Sequence, residues 1–349
     1  MADGFSILDA MSDPALFGAT FGGESFAGWR ALLGAFYGLP LAEEQAEVAL
    51  ALTGRESLPE SAASELWLAV GRRGGKSHVA ALVAVYEAAF RDHRDKLAPG
   101  EVATVFLIAG DRPQARTLLR YVRAMFENPM LARMVKRETA QGLELVNGSA
   151  IEVATASFRS VRGYTCAAVV CDEIAFWHSE GASPDAEIIA ALRPSLATLG
   201  GRLIAISSPY ARRGVLWQTY KTYFGRDDSD RVLVAQAPSR AMNPTLPERV
   251  VDDAMREDPA RAAAEYMAQF RTDISTLIDP GLIEDATRPK PLELPKASGV
   301  RYQAFTDPSG GGADEFTVAV GHRDGEAAVV DVVRGMRGSP AQIVGEYAD

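Results

Sequence analysis

The stretch Leu66-Trp67-Leu68-Ala69-Val70-Gly71-Arg72-Arg73-Gly74-Gly75-Lys76-Ser77 decides how the rest of the chain is read. A short apolar run breaks into a turn of glycines and arginines, and Gly-Lys-Ser then opens a helical pattern from His78 to Phe90. A strand, a loop of bare backbone N–H groups and a helix N-terminus, in that order, are what a phosphate-binding loop needs. The N–H groups and the helix dipole both favour an anion. In such a loop Gly71 to Gly75 line the phosphates, Lys76 reaches the β- and γ-phosphates, and the Ser77 hydroxyl holds Mg2+. The usual pattern places its first glycine six residues before the lysine, where Val70 stands here, and Gly71 comes one place late. A tight strand-to-helix turn on a basic surface is the plainer alternative.

The second focus is Ala167 to Phe176, a buried-strand pattern ending in adjacent carboxylates, Asp172 and Glu173. Charged residues at the C-terminal edge of a buried strand lie where ligands bind in open α/β sheets. Asp172 is expected in the Mg2+ shell, through water, and Glu173 as the base that polarises an attacking water beside the γ-phosphate. An Asp-Glu pair ending a strand is common by chance, but the same pair after Gly-Lys-Ser in an alternating α/β pattern points to ATP hydrolysis. A further strand, Gly201 to Pro209, closes on Ser207 and Ser208. These hydroxyls can sense the γ-phosphate, or can cap the helix that begins near Gly214.

Strand–helix alternation from 66 to 209 predicts a mostly parallel sheet. Val102 to Ala109 reads as a strand buried on both faces, Gln114 to Phe126 as a helix, and Leu143 to Ala154 as a hairpin turning at Asn147-Gly148. Residues 1–24 read as a flexible leader, and helices are expected from Phe26 to Leu52. The ATPase core is placed at 25–213 and a helical lid at 214–275. A Pro-rich linker spans 276–300, and a new β pattern fills 301–349. Within the last part a strand from Tyr302 ends in Asp307, followed by two strands, with Asp331 on the second.

With 349 residues, 47% apolar and 23% charged, the chain has the length for about two ordinary globular domains. No apolar run approaches the roughly 20 residues of a membrane span, and no signal peptide opens the sequence. The two cysteines, Cys166 and Cys171, fall on opposite faces of a regular strand and are expected to stay reduced, as in a cytosolic protein. The four histidines lack metal-ligand spacing. A net charge of −10 argues against a surface coated for nucleic acid but leaves room for a local basic groove.

Taken together, the order of these motifs resembles the large subunit of a tailed-phage DNA-packaging terminase, from about residue 20 onward. That family carries a deviant phosphate loop, often without the first glycine and with an arginine, as Val70 and Arg72 show. The resemblance implies a P-loop NTPase with a mostly parallel sheet and helical lid, followed by an RNase H-like α/β nuclease domain. It implies that Arg72 touches the phosphates, that Asp172 serves the metal and Glu173 the water, and that Ser207-Ser208-Pro209 couples hydrolysis to movement. Ser160-Val161-Arg162-Gly163 resembles the segment that offers an arginine finger to a neighbouring subunit. Arg162 is nominated, with Arg159 second. Asp307 resembles the first metal-binding acid of the nuclease, which uses Mg2+ or Mn2+. The remaining acids are expected beyond residue 349, which predicts weak or absent cleavage.

The implied function is an ATP-driven motor that moves double-stranded DNA into a procapsid in the host cytoplasm. Its partners would be a portal protein, a small terminase subunit and further copies of itself in a ring. A helicase or DNA-repair ATPase with a similar core is the alternative, and so is an assembly protein with a vestigial loop. Helicases of that kind usually carry a second ATPase-like domain, where this chain has an acid-bearing hairpin. The intact Lys76, Ser77, Asp172 and Glu173 count against a vestigial loop.

Overall fold

The computed structural model of the chain describes residues 4–156, 163–177, 184–272, 283, 286–308 and 315–348. By their contacts the described residues form two compact units, 4–272 in the first and 283–348 in the second.

The first unit is built on an eight-stranded sheet in the order β3-β4-β5-β2-β6-β7-β1-β8. Its strands are β1 (Glu65–Val70), β2 (Ala103–Ala109), β3 (Val135–Glu138), β4 (Gly142–Leu145), β5 (Ser149–Thr155), β6 (Thr165–Asp172), β7 (Arg202–Ser207) and β8 (Val232–Ala237). β5, β2, β6, β7, β1 and β8 run parallel, while β3 and β4 add an antiparallel edge. The central strands are buried from end to end because helices cover both faces, so their sequences read as unbroken apolar runs.

On one face lie α1 (Ile7–Ser12), α2 (Gly18–Phe21), α3 (Ala27–Phe36), α4 (Glu43–Thr53), α5 (Lys76–Ala89), α6 (Arg112–Phe126) and α7 (Pro129–Ala132). α8 (Pro184–Leu196) and α9 (Gly214–Tyr223) cover the other face. Alternation along β1 serves both layers, with Leu66, Leu68 and Val70 toward α5 and Trp67 and Ala69 toward α8 and α9. Alanine-rich α5 is buried nearly all round, as a central core helix must be. After β8 come α10 (Ser239–Met242), α11 (Glu248–Glu257) and α12 (Pro259–Met267).

Three expectations are corrected. Residues before 25 are not a loose leader. The Ser6 hydroxyl accepts from Asp9 N–H at 3.1 Å and caps α1, and Ile7, Met11, Phe17 and Phe21 are buried. Helices of four and six residues are too short to show a helical period, and that hid them. The 214–275 segment is not a separate lid throughout. β8 pairs with β1, and α9 buries Leu216 against the sheet. Cys166 and Cys171 do not face opposite sides, because β6 slips by one residue against β2 near Ala167 and brings both thiols into one apolar cluster. Both are free, and burial raises the Cys166 thiol to about 11 and lifts Cys171 further.

The second unit holds a three-stranded antiparallel sheet in the order β11-β10-β9. Its elements are β9 (Tyr302–Asp307), β10 (Phe316–Asp324), β11 (Ala327–Met336) and α13 (Pro340–Ala348), which buries Ile343.

Candidate active site

Three neighbouring parallel strands end at one level. Register pairs Ala69 of β1 with Ser207 of β7, and Ile206 of β7 with Asp172 of β6. The loop after β1 and the two carboxylates therefore flank the serines, at the carboxyl edge where open sheets bind ligands.

The loop is held from outside by its carbonyls. Trp29 Nε1 donates to Gly74 O at 2.7 Å, Asn243 Nδ2 to Arg73 O at 2.9 Å and Ser239 Oγ to Arg72 O at 2.6 Å. Gly71 N–H donates to Ala237 O and Arg72 N–H to Glu265 O. The N–H groups of Arg73, Gly75, Lys76 and Ser77 have no acceptor among the described residues. Four donors at a helix N-terminus form an anion cradle.

Gly75 sits at φ 85° as the N-cap of α5. A Cβ on Gly71 would lie 2.3 Å from Ser239 Oγ and 2.7 Å from Tyr266 O, so only glycine fits. Val70 is the last buried residue of β1 and pairs with Ala237. The turn thus begins one residue later than the usual spacing, because the close approach of α10 falls on Gly71.

Lys76 is 6% exposed and folds across the mouth of the loop. Its Nζ donates to Ser208 Oγ at 2.8 Å and to the Val70 and Gly71 carbonyls at 3.2 and 3.3 Å, and lies 3.5 Å from Glu173 Oε1. Glu173 takes φ 53°, a left-handed conformation that costs about 1–3 kcal/mol in a non-glycine residue. That turn aims its carboxylate at β7, where Oε2 accepts from Ser207 Oγ and Ser208 N–H, both at 3.0 Å. The serines do not cap α9, whose N-cap is Arg213. They hold Glu173 and Lys76.

Asp172 is fully buried. Its Oδ2 accepts from Ser77 Oγ and Gln114 Nε2, both at 3.1 Å, while Oδ1 is buried with no hydrogen-bond partner among the described residues. Burial first, then the charge of Glu173, pushes its carboxyl up to about 7. A buried carboxylate oxygen without a donor, beside a serine hydroxyl, is the donor set that suits a hydrated divalent cation.

A cavity of about 550 Å³ opens beside Glu173 and Ser208, bounded also by Arg72, Gln114, Tyr210 and Arg261. Glu265 on α12 pairs with both Arg72, at 3.2 Å, and Arg261, at 3.3 Å. Arg72 thus stands at the rim of the loop with its side chain largely exposed, and Arg73 is exposed as well.

Gln114, Trp29, Ser239, Asn243 and Glu265 belong to this site without having been read as such. Gln114 alone carried a signal, a polar residue opening the helix after a buried strand. Arg159 and Arg162 lie outside the described residues. In the second unit Asp307 ends β9, exposed and opposite Thr317. Asp331 is 3% exposed in β11, with its Oδ2 2.7 Å from His322 Nδ1.

No family model and no curated protein matches the sequence. Solved structures do match. The large terminase of bacteriophage HK97 aligns with 88% of this chain and 67% of its own, at 17% identity and a TM-score of 0.52. The large terminase ATPase domain of Thermus phage P74-26 aligns with 68% of this chain and 97% of its own, at 18% identity and a TM-score of 0.48. A large terminase of a thermophilic bacteriophage, solved with ADP, aligns with 88% of this chain and 73% of its own, at 14% identity and a TM-score of 0.46. The chain has the mixed α/β fold, with its mostly parallel sheet, of the HK97 large terminase.

Proposed function

We propose that this chain is the ATP-hydrolysing subunit of a motor that drives double-stranded DNA into a viral procapsid. One observation carries the reading. Lys76, at the mouth of an anion cradle, contacts Glu173 and Ser208 together, while Ser77 touches Asp172. The motif order, which resembles a DNA-packaging terminase, and the fold shared with the HK97 large terminase support the choice of DNA packaging among ATP-driven tasks.

Triphosphate entering the loop is met by the free N–H groups and draws Lys76 away from Glu173 and Ser208 toward the β- and γ-phosphates. Glu173, already fixed by Ser207 and Ser208, then orients and deprotonates the attacking water. Asp172 and Ser77 are the residues that would hold Mg2+, which when bound neutralises phosphate charge as it develops. Loss of the γ-phosphate returns Lys76 to Ser208, so β7 feels the change, which is a coupling role for Ser207 and Ser208. Arg72 reaches the phosphates once Glu265 lets it go, and Arg162 serves a neighbouring subunit's site in trans.

The motor would work as a ring on a portal protein, with a small terminase subunit choosing DNA, in the host cytoplasm. No described helix is long and apolar enough to cross a membrane. The second unit is read as an RNase H-like nuclease part, with Asp307 a ligand for Mg2+ or Mn2+. The domain plan becomes a core with α11 and α12 as the lid, then a linker and the nuclease part.

The test is ATP turnover against protein concentration, with and without duplex DNA. Lys76→Ala and Glu173→Gln are expected to lose at least about 10²-fold. Mixing Arg162→Ala with Glu173→Gln restores activity if the finger acts in trans. Undiminished DNA-stimulated turnover in Lys76→Ala and Glu173→Gln would overturn the motor reading, and strand displacement without any portal would replace it with a helicase.

A further inference from the structure

α6 carries Arg112, Arg116, Arg120 and Arg123 and no acidic residue, in a chain with 46 acids and 36 bases. At 100° per residue these four positions fall within about 80° of the helix surface, in steps of about 6 Å along the axis from Arg112 to Arg120. Arg112, Arg116 and Arg120 are exposed. Arg120 donates to Thr117 Oγ1 at 3.1 Å, and Arg112 and Arg116 have no ion-pair partner among the described residues.

Among the described residues, three acids adjoin α6 in sequence or pair with its arginines. Asp111 is engaged as the N-cap at 2.8 Å from Gln114 N, Glu138 of β3 is paired with Arg123 at 3.4 Å, and Glu127 lies beyond the last turn. The stripe is unfavourable for the helix itself. Arg112 stands in the first turn, against the dipole, and the arginines repel one another at spacings of four. A solvated helix face would be expected to intersperse acids.

The opposite face reaches the active site. Gln114 donates to Asp172, and Leu118 and Val122 are locked in the core. Tyr121, the one aromatic residue of α6 before Phe126, packs on His78 at 4.7 Å, so the ridge offers charge and no base-stacking platform.

We propose that Arg112, Arg116 and Arg120 bind the phosphodiester backbone of double-stranded DNA, and that α6 is the rigid lever linking that contact to Asp172 through Gln114. The proposal rests on the motor reading for its purpose, but DNA binding itself is measured without turnover. Contacts to phosphate alone are sequence-tolerant and salt-dependent.

The experiment measures affinity of the full chain for a random-sequence duplex by fluorescence anisotropy over a range of salt. It compares wild type, the triple Arg112→Ala/Arg116→Ala/Arg120→Ala variant and an Arg249→Ala control on α11. The triple variant is expected to bind at least about tenfold more weakly, with a log–log salt slope smaller by about 2–3. Lysines at the same three positions should restore both, which separates charge from folding. Gln114→Ala is expected to keep wild-type DNA affinity while losing DNA stimulation of ATP turnover. Wild-type affinity and slope in the triple variant would overturn the proposal, as would equal binding of single-stranded RNA. Stimulation surviving in Gln114→Ala would overturn the lever. A wild-type chain that binds DNA through the stripe yet hydrolyses no ATP would sink the motor reading and leave the surface standing.

Discussion

Asp172 and Asp331 are both carboxylates removed from water, at 0% and 3% exposure, and their surroundings treat them in opposite ways. Asp172 stands at the open edge of a parallel sheet with one oxygen unpaired and a second carboxylate next in the chain. Asp331 stands inside a β hairpin where the register of β10 and β11 slips, against an imidazole at 2.7 Å. The first acid keeps an unmet demand that a ligand can satisfy, and the second has already met its own. Burial alone therefore does not mark a functional acid. What marks it is burial without a partner at a place a ligand can enter.

The contrast can be broken most sharply by turnover. Asp172→Asn should lower Mg2+-dependent ATP hydrolysis by about 10²-fold or more, and Asp331→Asn by less than about twofold. Comparable losses in a steady-state assay would dissolve the distinction.

Stability should show the reverse asymmetry. Asp331→Ala leaves His322 without its acceptor and is expected to cost the second unit about 1–3 kcal/mol in denaturant unfolding. An unchanged midpoint would mean that the pair contributes nothing.

A subtler effect concerns pH. The Asp172 carboxyl is raised to about 7, against about 3.9 in an unfolded chain. Between those values the native state holds a proton that the unfolded state has released. Its contribution to stability is therefore full below about pH 4 and is lost as pH rises through about 7. In chelator, without nucleotide, Asp172→Asn should flatten this decline and be the more stable form at pH 8 by about 1–3 kcal/mol. Parallel pH profiles of the two proteins in thermal melts would contradict the burial argument.

The smallest expected change is at the loop's outer rim. Glu265→Gln frees Arg72, whose side chain is 59% exposed, from a pair worth about 0–1 kcal/mol. The KM for ATP should fall by up to about fivefold at constant kcat. A rise would show that Glu265 positions Arg72 rather than restraining it.

Much of the site was legible because its members end strands that announce themselves. Asp172, Glu173, Ser207 and Ser208 end or directly follow apolar strands, Lys76 and Ser77 open the helix after another, and parallel strands of matched length place such ends together. Gln114, Trp29, Ser239, Asn243 and Glu265 arrive from elsewhere in the chain through packing, with no local pattern that requires them. The short helices before residue 25, the place of β8 beside β1 and the shared face of the two cysteines escaped for related reasons. Their elements are brief, their partner is distant, or a one-residue slip reversed the parity on which the reading depended.

By itself the amino-acid order determined the alternating α/β plan, the anion cradle between β1 and α5, and the chemical types gathered at the sheet edge. These follow from local periodicity and from residues adjacent in the chain. Tertiary structure alone decided which atoms meet: that Lys76 lies between Glu173 and Ser208, that Asp172 keeps one oxygen unsatisfied, and that α6 ties an arginine ridge to that acid. Those are relations between segments tens of residues apart, set by strand order and by how completely each polar group is partnered once water is excluded.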